Sequence, residues 1–290
     1  MRIDVRRILC AALSAALVGT TGCGKNNKDN GPAVATPSLT LSKDRVPIGS
    51  VVNLTYKFKV EPNAHFDKSY WVFMHVLDSE GEQMWTDDHV PPTPTTAWQP
   101  GQTIEYTRTV FVPNYPYIGE ATARLGLYDR DTGQRLTLNG QDAGRHEYVV
   151  ARFQVLPSSE NLALLNKGGW YAAEVDTRNP GSEWQWTGKE AAIEFRNPKK
   201  NAVFYLEYDA RSDQFTPPQQ VTVSVEGKPV AQFPADARNA TLKTIPISAA
   251  DMGDSETVTL TISVDRTFKP GGGDPRELGI RVYHAFVDVK

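Results

Sequence analysis

The chain has 290 residues, 40% hydrophobic and 22% charged, with a formal net charge of −3. Those proportions exclude wholesale disorder, a collagen-like rod and a polytopic membrane protein, and the charge gives no electrostatic reason to expect a nucleic-acid partner. With 22 glycines, 20 prolines and 10% aromatic residues, the composition favours many turns and strands.

Residues 1–22 read as a signal peptide rather than as fold. Arg2, Arg6 and Arg7 form a positive start, and Ile8 to Val18 is an apolar run too short to span a bilayer. The small residues Gly19-Thr20-Thr21-Gly22 before Cys23 resemble a bacterial lipobox, with Thr20 where that signal usually has leucine. An ordinary signal peptide cut near an incidental cysteine is the other reading. The only cysteines are Cys10 and Cys23. Cys10 leaves with the signal, so the remaining chain has no internal disulfide, and lipidation of Cys23 explains an unpaired thiol in an exported protein. Residues 23–37 have no hydrophobic period and read as a flexible tether. Gly24, rather than Asp, follows the cysteine. By resemblance to the sorting rule of double-membrane bacteria, this implies a lipid-anchored envelope protein on the outer membrane, facing the periplasm or the cell surface. Loss of three arginines with the signal leaves the remainder more acidic. The anchor to the membrane is then the lipid rather than a basic face.

From residue 38 to 156 the pattern alternates with a period of two. Leu54, Tyr56, Phe58 and Val60 alternate with polar residues, which predicts a half-buried strand. Tyr70 to Leu77 is apolar on both faces, as in a strand covered on both sides. Asp78 to Glu82 is a turn, Gln83 to Thr86 a return strand, and Ile104 to Val112 another alternating run. Ala121 to Tyr128, the turn Asp129 to Gly133, the return Gln134 to Leu138 and the run Tyr148 to Leu156 complete the unit. Short strands at this spacing predict an immunoglobulin-like β-sandwich.

Pro157 to Glu160 reads as a linker, and Asn161 to Leu165 as a short helical turn. Over residues 160–290 the strand pattern resumes. Ile193 and Phe195 share a face, as do Phe204, Leu206 and Tyr208, then Val221, Val223 and Val225, then Val258, Leu260, Ile262 and Val264. Ile280 to Val289 is a final, largely apolar strand, and only Ser248 to Met252 hints at helix. Prolines fall mostly at segment edges. The second unit is expected to be a jelly-roll-like β-sandwich, so the whole is all-β.

Signs of catalysis are mostly absent, and no cofactor is expected. The chain has no nucleophile elbow, zinc-protease helix motif, phosphate loop or dinucleotide fingerprint. Histidines 65, 75, 89, 146 and 284 make no metal-ligand spacing, and His75 and His284, inside strands, read as packed. Asp87-Asp88-His89 reads as a solvated turn rather than a cation site. Asp129 to Gly133 reads as a hairpin turn rather than a calcium loop. Gly271-Gly272-Gly273 reads as a flexible loop. Trp85 and Trp98 flank a proline-rich loop, where exposure is expected. Glu174, Glu183, Asp265 and Asp274 are the carboxylates considered for glycoside hydrolysis, which needs a spatial pair that no motif reveals.

Aromatic rings carry the stronger lead, because a ring can stack on the apolar face of a sugar. Trp170, Tyr171, Trp184 and Trp186 cluster in sequence, with Asp176, Arg178 and Glu183 nearby. Two readings stay open for Trp184 and Trp186: core filling and sugar stacking. Asp274 and Arg276, just before the last strand, form either an ion pair bracing Phe268 to Leu278 or the polar rim of a ligand groove.

Two longer series carry a resemblance. Val72-Phe73-Met74-His75-Val76, Gly81, Asp87-Asp88, Trp98-Gln99-Pro100-Gly101 and the stretch from Leu125 through Asp129 to Leu136 resemble the accessory β-sandwich of some bacterial membrane glycosyltransferases and envelope proteins. Gly169-Trp170-Tyr171, Glu174, Trp184, Trp186-Thr187, Thr267 to Pro270 and Asp274 to Ile280 are similar to another non-catalytic sandwich of cell-surface polysaccharide proteins. The resemblance implies fold and setting and carries over no catalytic residue. The expectation is a non-enzymatic binding or scaffolding protein for a glycan or an envelope assembly partner. The alternatives are a carbohydrate-active enzyme and a structural spacer.

Overall fold

The computed structural model describes residues 31–177 and 179–290, without the side chains of 179–181. The signal peptide, the lipobox, Cys23 and Arg178 lie outside the described residues.

Nine strands build the first sandwich: β1 (Ala35–Leu41), β2 (Arg45–Pro47), β3 (Val51–Val60), β4 (Trp71–Leu77), β5 (Gln83–Thr86), β6 (Thr103–Phe111), β7 (Gly119–Tyr128), β8 (Gln141–Asp142) and β9 (Tyr148–Leu156). One sheet runs β1-β3-β6. The other runs β2-β9-β7-β4-β5, with β8 pairing β9. β2 pairs β9 in parallel, and the other pairings are antiparallel. The chain therefore crosses from one sheet to the other between β1 and β2, giving the expected immunoglobulin-like arrangement. Alternation supplies the core: Tyr56 and Phe58 are fully buried between the sheets with Val72, Met74, Leu125 and Leu127. Phe73 points the other way and is still buried, because the Arg135 guanidinium covers its ring at 4.4 Å. That cover explains why β4 is apolar on both faces.

Ten strands build the second sandwich: β10 (Leu164–Asn166), β11 (Glu174–Asp176), β12 (Asn179–Trp186), β13 (Glu190–Arg196), β14 (Ala202–Asp209), β15 (Gln220–Val225), β16 (Lys228–Pro234), β17 (Thr241–Ile247), β18 (Thr257–Val264) and β19 (Arg281–Val289). Its sheets run β10-β13-β18-β15-β16 and β11-β12-β19-β14-β17. The chain passes repeatedly between them, which is the jelly-roll-like pattern. Pro229, Pro234 and Pro246 lie in β16 and β17, each at a sheet edge where a missing N–H costs no ladder bond. One helical turn, α1 (Ala249–Met252), starts from a capping box between Ser248 and Asp251.

Three local expectations need correction. β1 begins at Ala35, inside the stretch read as tether, because buried Ala35 pairs with Val60. Gln134 to Leu138 makes only an isolated bridge, Tyr128 to Arg135, rather than a strand. Asn161 to Leu165 is not helical. A short 3-10 turn, Ser158–Glu160, precedes it, and Leu162 and Leu164 then reach the second core with strand spacing.

Residues Pro32–Lys290 form one unit, joined by a small apolar contact. Val51 and Phe111 of the first sandwich meet Val203, Tyr205, Leu242 and Phe286 on the outer face of β14, β17 and β19. Lys43 Nζ lies 3.3 Å from Asp288 Oδ1, and Asn161 Nδ2 donates to the Ile48 carbonyl at 2.7 Å.

Candidate functional site

β12 pairs β19 only at Gln185–Val282 and Trp186–Arg281. Toward its start, β12 stays with β11 and leaves β19, and an open groove of about 1200 Å³ forms where the two strands part. Leu164, Leu165 and Trp170 line it on one side. Ser182 to Gln185 and Val282 to Ala285 line it along the parted strands. Phe111, Pro113 and Asn114 line it from the first sandwich.

A backbone junction fixes this geometry. Gly188 N donates to Gly169 O at 2.7 Å, Gly279 N to Thr187 O at 2.7 Å, and Thr187 N to Ile280 O at 2.9 Å. The strands approach so closely that a Cβ on Gly169 would lie 1.7 Å from Glu190 O, and one on Gly279 would lie 2.4 Å from Thr187 Oγ1. Only glycine fits at either position.

Above the junction, a chain of charged and aromatic groups holds Trp184. Its Nε1 donates to Glu174 Oε2 at 3.2 Å, and Arg276 Nη1 donates to Glu174 Oε1 at 2.5 Å. Arg276 also grips Asp274, through Nε at 3.0 Å and Nη2 at 2.7 Å, and lies 5.5 Å from the Tyr171 ring. These bonds hold the Asp274 carboxyl below the usual carboxylate range. On the other side, the Arg281 guanidinium sits 4.8 Å from the Trp184 ring, 5.6 Å from Trp186 and 5.2 Å from Tyr283. Arg281 bonds both oxygens of Asp209, which also accepts from the Tyr283 hydroxyl at 2.8 Å. Burial and the Asp209 carboxylate push the Tyr283 phenol up to about 12. With both charged partners neutralised internally, the half-buried Trp184 ring is held rigid at the groove beside Tyr283, ring centres 6.2 Å apart.

Tyr171, Trp184, Trp186, Asp274 and Arg276 thus form one cluster, but among the described residues expected to matter, Trp170, Trp184 and Glu183 are the ones that line the groove. Trp186 is a core residue, 8% exposed against Phe268 and Leu278. Trp170 packs against the second core and donates Nε1 to Ala192 O at 2.8 Å. Asp274 and Arg276 brace the loop in which Phe268 pairs with Leu278. Among the carboxylates considered for catalysis, Glu174 and Asp274 are spent on Arg276, and Asp265 pairs with Arg266 at 3.3 Å.

Tyr283, His284, Glu207, Phe111 and Asn114 complete the groove and carry no sequence signal. His284 is not packed as expected. It stands on the outer face, its ring stacked on Phe111 at 4.5 Å, with Nδ1 2.6 Å from Glu207 Oε2. That stack joins the two sandwiches at the groove.

Two further readings change in the first sandwich. Asp87 and His89 are buried, not a solvated turn. Arg108 grips Asp87 with two bonds of 2.8 Å, the Tyr56 hydroxyl donates to it at 2.7 Å, and His89 Nε2 lies 2.8 Å from the Tyr106 hydroxyl. Trp98 is 4% exposed, packed on Phe58 and Phe66 with Nε1 donating to Thr93 O. Asp129 does staple a turn, accepting from Asp131 N, Thr132 Oγ1 and Lys68 Nζ; the Lys68 bond foremost lowers its carboxyl to about 2.

No protein-family model and no curated protein matches the sequence. Solved structures that align with the chain include a Bacteroides uniformis β-glucuronidase (13% identity, 88% of this chain and 30% of that one, TM-score 0.28). They also include the Pseudomonas fluorescens alkylpurine DNA glycosylase AlkC bound to DNA with an abasic-site analogue (13% identity, 42% and 30%, TM-score 0.27). A third is an Arthrobacter globiformis isomalto-dextranase complexed with panose (11% identity, 88% and 36%, TM-score 0.25). The alignment spans well under half of each of these chains.

Proposed function

We propose that this is a lipid-anchored protein of the bacterial cell envelope that binds saccharide, without catalysis, in the groove between its two sandwiches. The observation that carries this reading is the Trp184 ring, fixed by Glu174 and Arg281 and presented with Tyr283 to an open groove. Rigid aromatic faces beside a few polar groups suit a ligand with apolar C–H faces and ring hydroxyls. Asn114, Asn166, Gln185 and Glu183 supply hydrogen-bonding groups along the same groove. Cys23 supplies the anchor, on the outer membrane.

Isothermal titration with a panel of envelope glycans and neutral oligosaccharides tests the binding reading. At least one should bind, and Trp184→Ala should weaken it by tenfold or more, about 1.4 kcal/mol, with the circular dichroism spectrum unchanged. Absence of heat with every glycan sinks the reading. Mass spectrometry of the protein extracted from membranes should find acyl chains on Cys23. A bare cysteine there removes the anchor.

A second reading, a carbohydrate-active enzyme, is favoured by one observation: Glu183 and Glu207 line the same groove. Chromatography of a bound oligosaccharide after prolonged incubation separates the two. Intact ligand supports binding alone; fragments that vanish in Glu207→Gln establish hydrolysis.

A further inference from the structure

Among the described residues that line the groove are two carboxylates, Glu183, which is exposed, and Glu207, which shares one oxygen with His284 Nδ1 at 2.6 Å, and no lysine or arginine. The guanidiniums nearby are already matched: Arg281 by Asp209, behind the Trp184 ring, and Arg276 by Asp274 and Glu174. An ionised carboxylate only accepts hydrogen bonds, so it rewards ligand hydroxyls or ammonium groups. An anionic ligand would lose hydration and find like charge in return. Walls of low dielectric, here Phe111, Leu164, Leu165 and Trp170, concentrate that field within the groove.

From this charge pattern we infer that the groove selects saccharides that are neutral or carry amino groups and rejects those bearing uronate, phosphate or sulfate. The inference rests on the saccharide reading above and adds the chemical class of the ligand.

Three hexamers of similar size test it on the full purified protein: cellohexaose, a β-linked glucosamine hexamer and a galacturonate hexamer. Titrations at about 20 mM salt limit screening, and repeats at about 300 mM measure it. At low salt the galacturonate hexamer should bind at least tenfold more weakly than the better of the other two. In Glu183→Gln/Glu207→Gln that ratio should shrink several-fold. Glu183→Gln alone, at an exposed position, keeps the test open if the double variant fails to fold. Galacturonate binding as tightly as the others, or a ratio unchanged in both variants, overturns the inference and leaves the saccharide reading standing. If none of the three binds while an anionic glycan in the panel does, the class assignment falls; a neutral or amino glycan bound in their place supports it. If nothing binds at all, the saccharide reading falls with it.

Discussion

Arg108 and Tyr56 from one sheet of the first sandwich reach Asp87 beside the other, and the three close one edge of the sandwich. Removing a buried partner strands the other charge. Arg108 is partly exposed and can rehydrate, so Asp87→Ala should lower stability by about 2 kcal/mol, read from urea unfolding; a loss under about 1 kcal/mol would show a solvated pair instead. Burial alone would raise the Asp87 carboxyl, but the bonds from Arg108 and Tyr56 outweigh it and hold the group below its ordinary value. The unfolded chain thus takes up this proton first on acidification. The contribution is complete above about pH 4 and fades as pH falls through the folded value. His89 is depressed by burial, so it too favours unfolding on acidification, starting below about pH 6.5. The urea midpoint should fall between about pH 7 and pH 5; His89→Gln should remove part of that fall and leave the share of His75, which burial also depresses. The sequence around Asp87 looked like a turn because its partners Tyr56, Tyr106 and Arg108 are distant in the chain and meet only across sheets. Trp98 misled for a similar reason: neighbouring prolines signal a loop, but Phe58 and Phe66 decide where the ring goes.

At the scale of elements, alternation predicted most strands well, because one buried face imposes a period of two whatever the neighbours are. β5 and β9 fall on the predicted limits, and β14, β15 and β18 bury the predicted faces. What alternation could not supply was pairing. Nothing in the residues of β12 says that it follows β19 for two residues and then parts from it. The expected aromatic cluster was legible, since Trp184 and Trp186 are two apart on one strand. Its division into a core ring and a groove ring was not, because it depends on that parting. The glycine junction beneath it gives a test. Gly169 has φ +87° and backbone where a side chain would go, so Gly169→Ala should cost on the order of 3 kcal/mol. It should also shift tryptophan fluorescence, since Trp170 and the bridge to Thr187 follow directly. Unchanged stability and emission would mean that the junction is not rigid.

For the whole molecule, the groove belongs to neither sandwich alone, since Phe111 and Asn114 come from one and Trp184, Tyr283 and His284 from the other. Saccharide should therefore tighten the contact between them, and Phe111→Ala, which removes the stack on His284, should weaken binding while both cores stay folded. Hydrogen exchange would show this as faster exchange in β19 and β6 with protection elsewhere retained; equal exchange and equal affinity would make the first sandwich a passive spacer. The most direct measurement uses the 6 tryptophans as reporters, by following their indole N–H resonances during titration with a bound oligosaccharide. The Trp184 signal should move most, with Trp170 responding and Trp98 still. A stationary Trp184 signal, or shifts led by Trp71 or Trp85 in the first sandwich, would contradict binding at the groove.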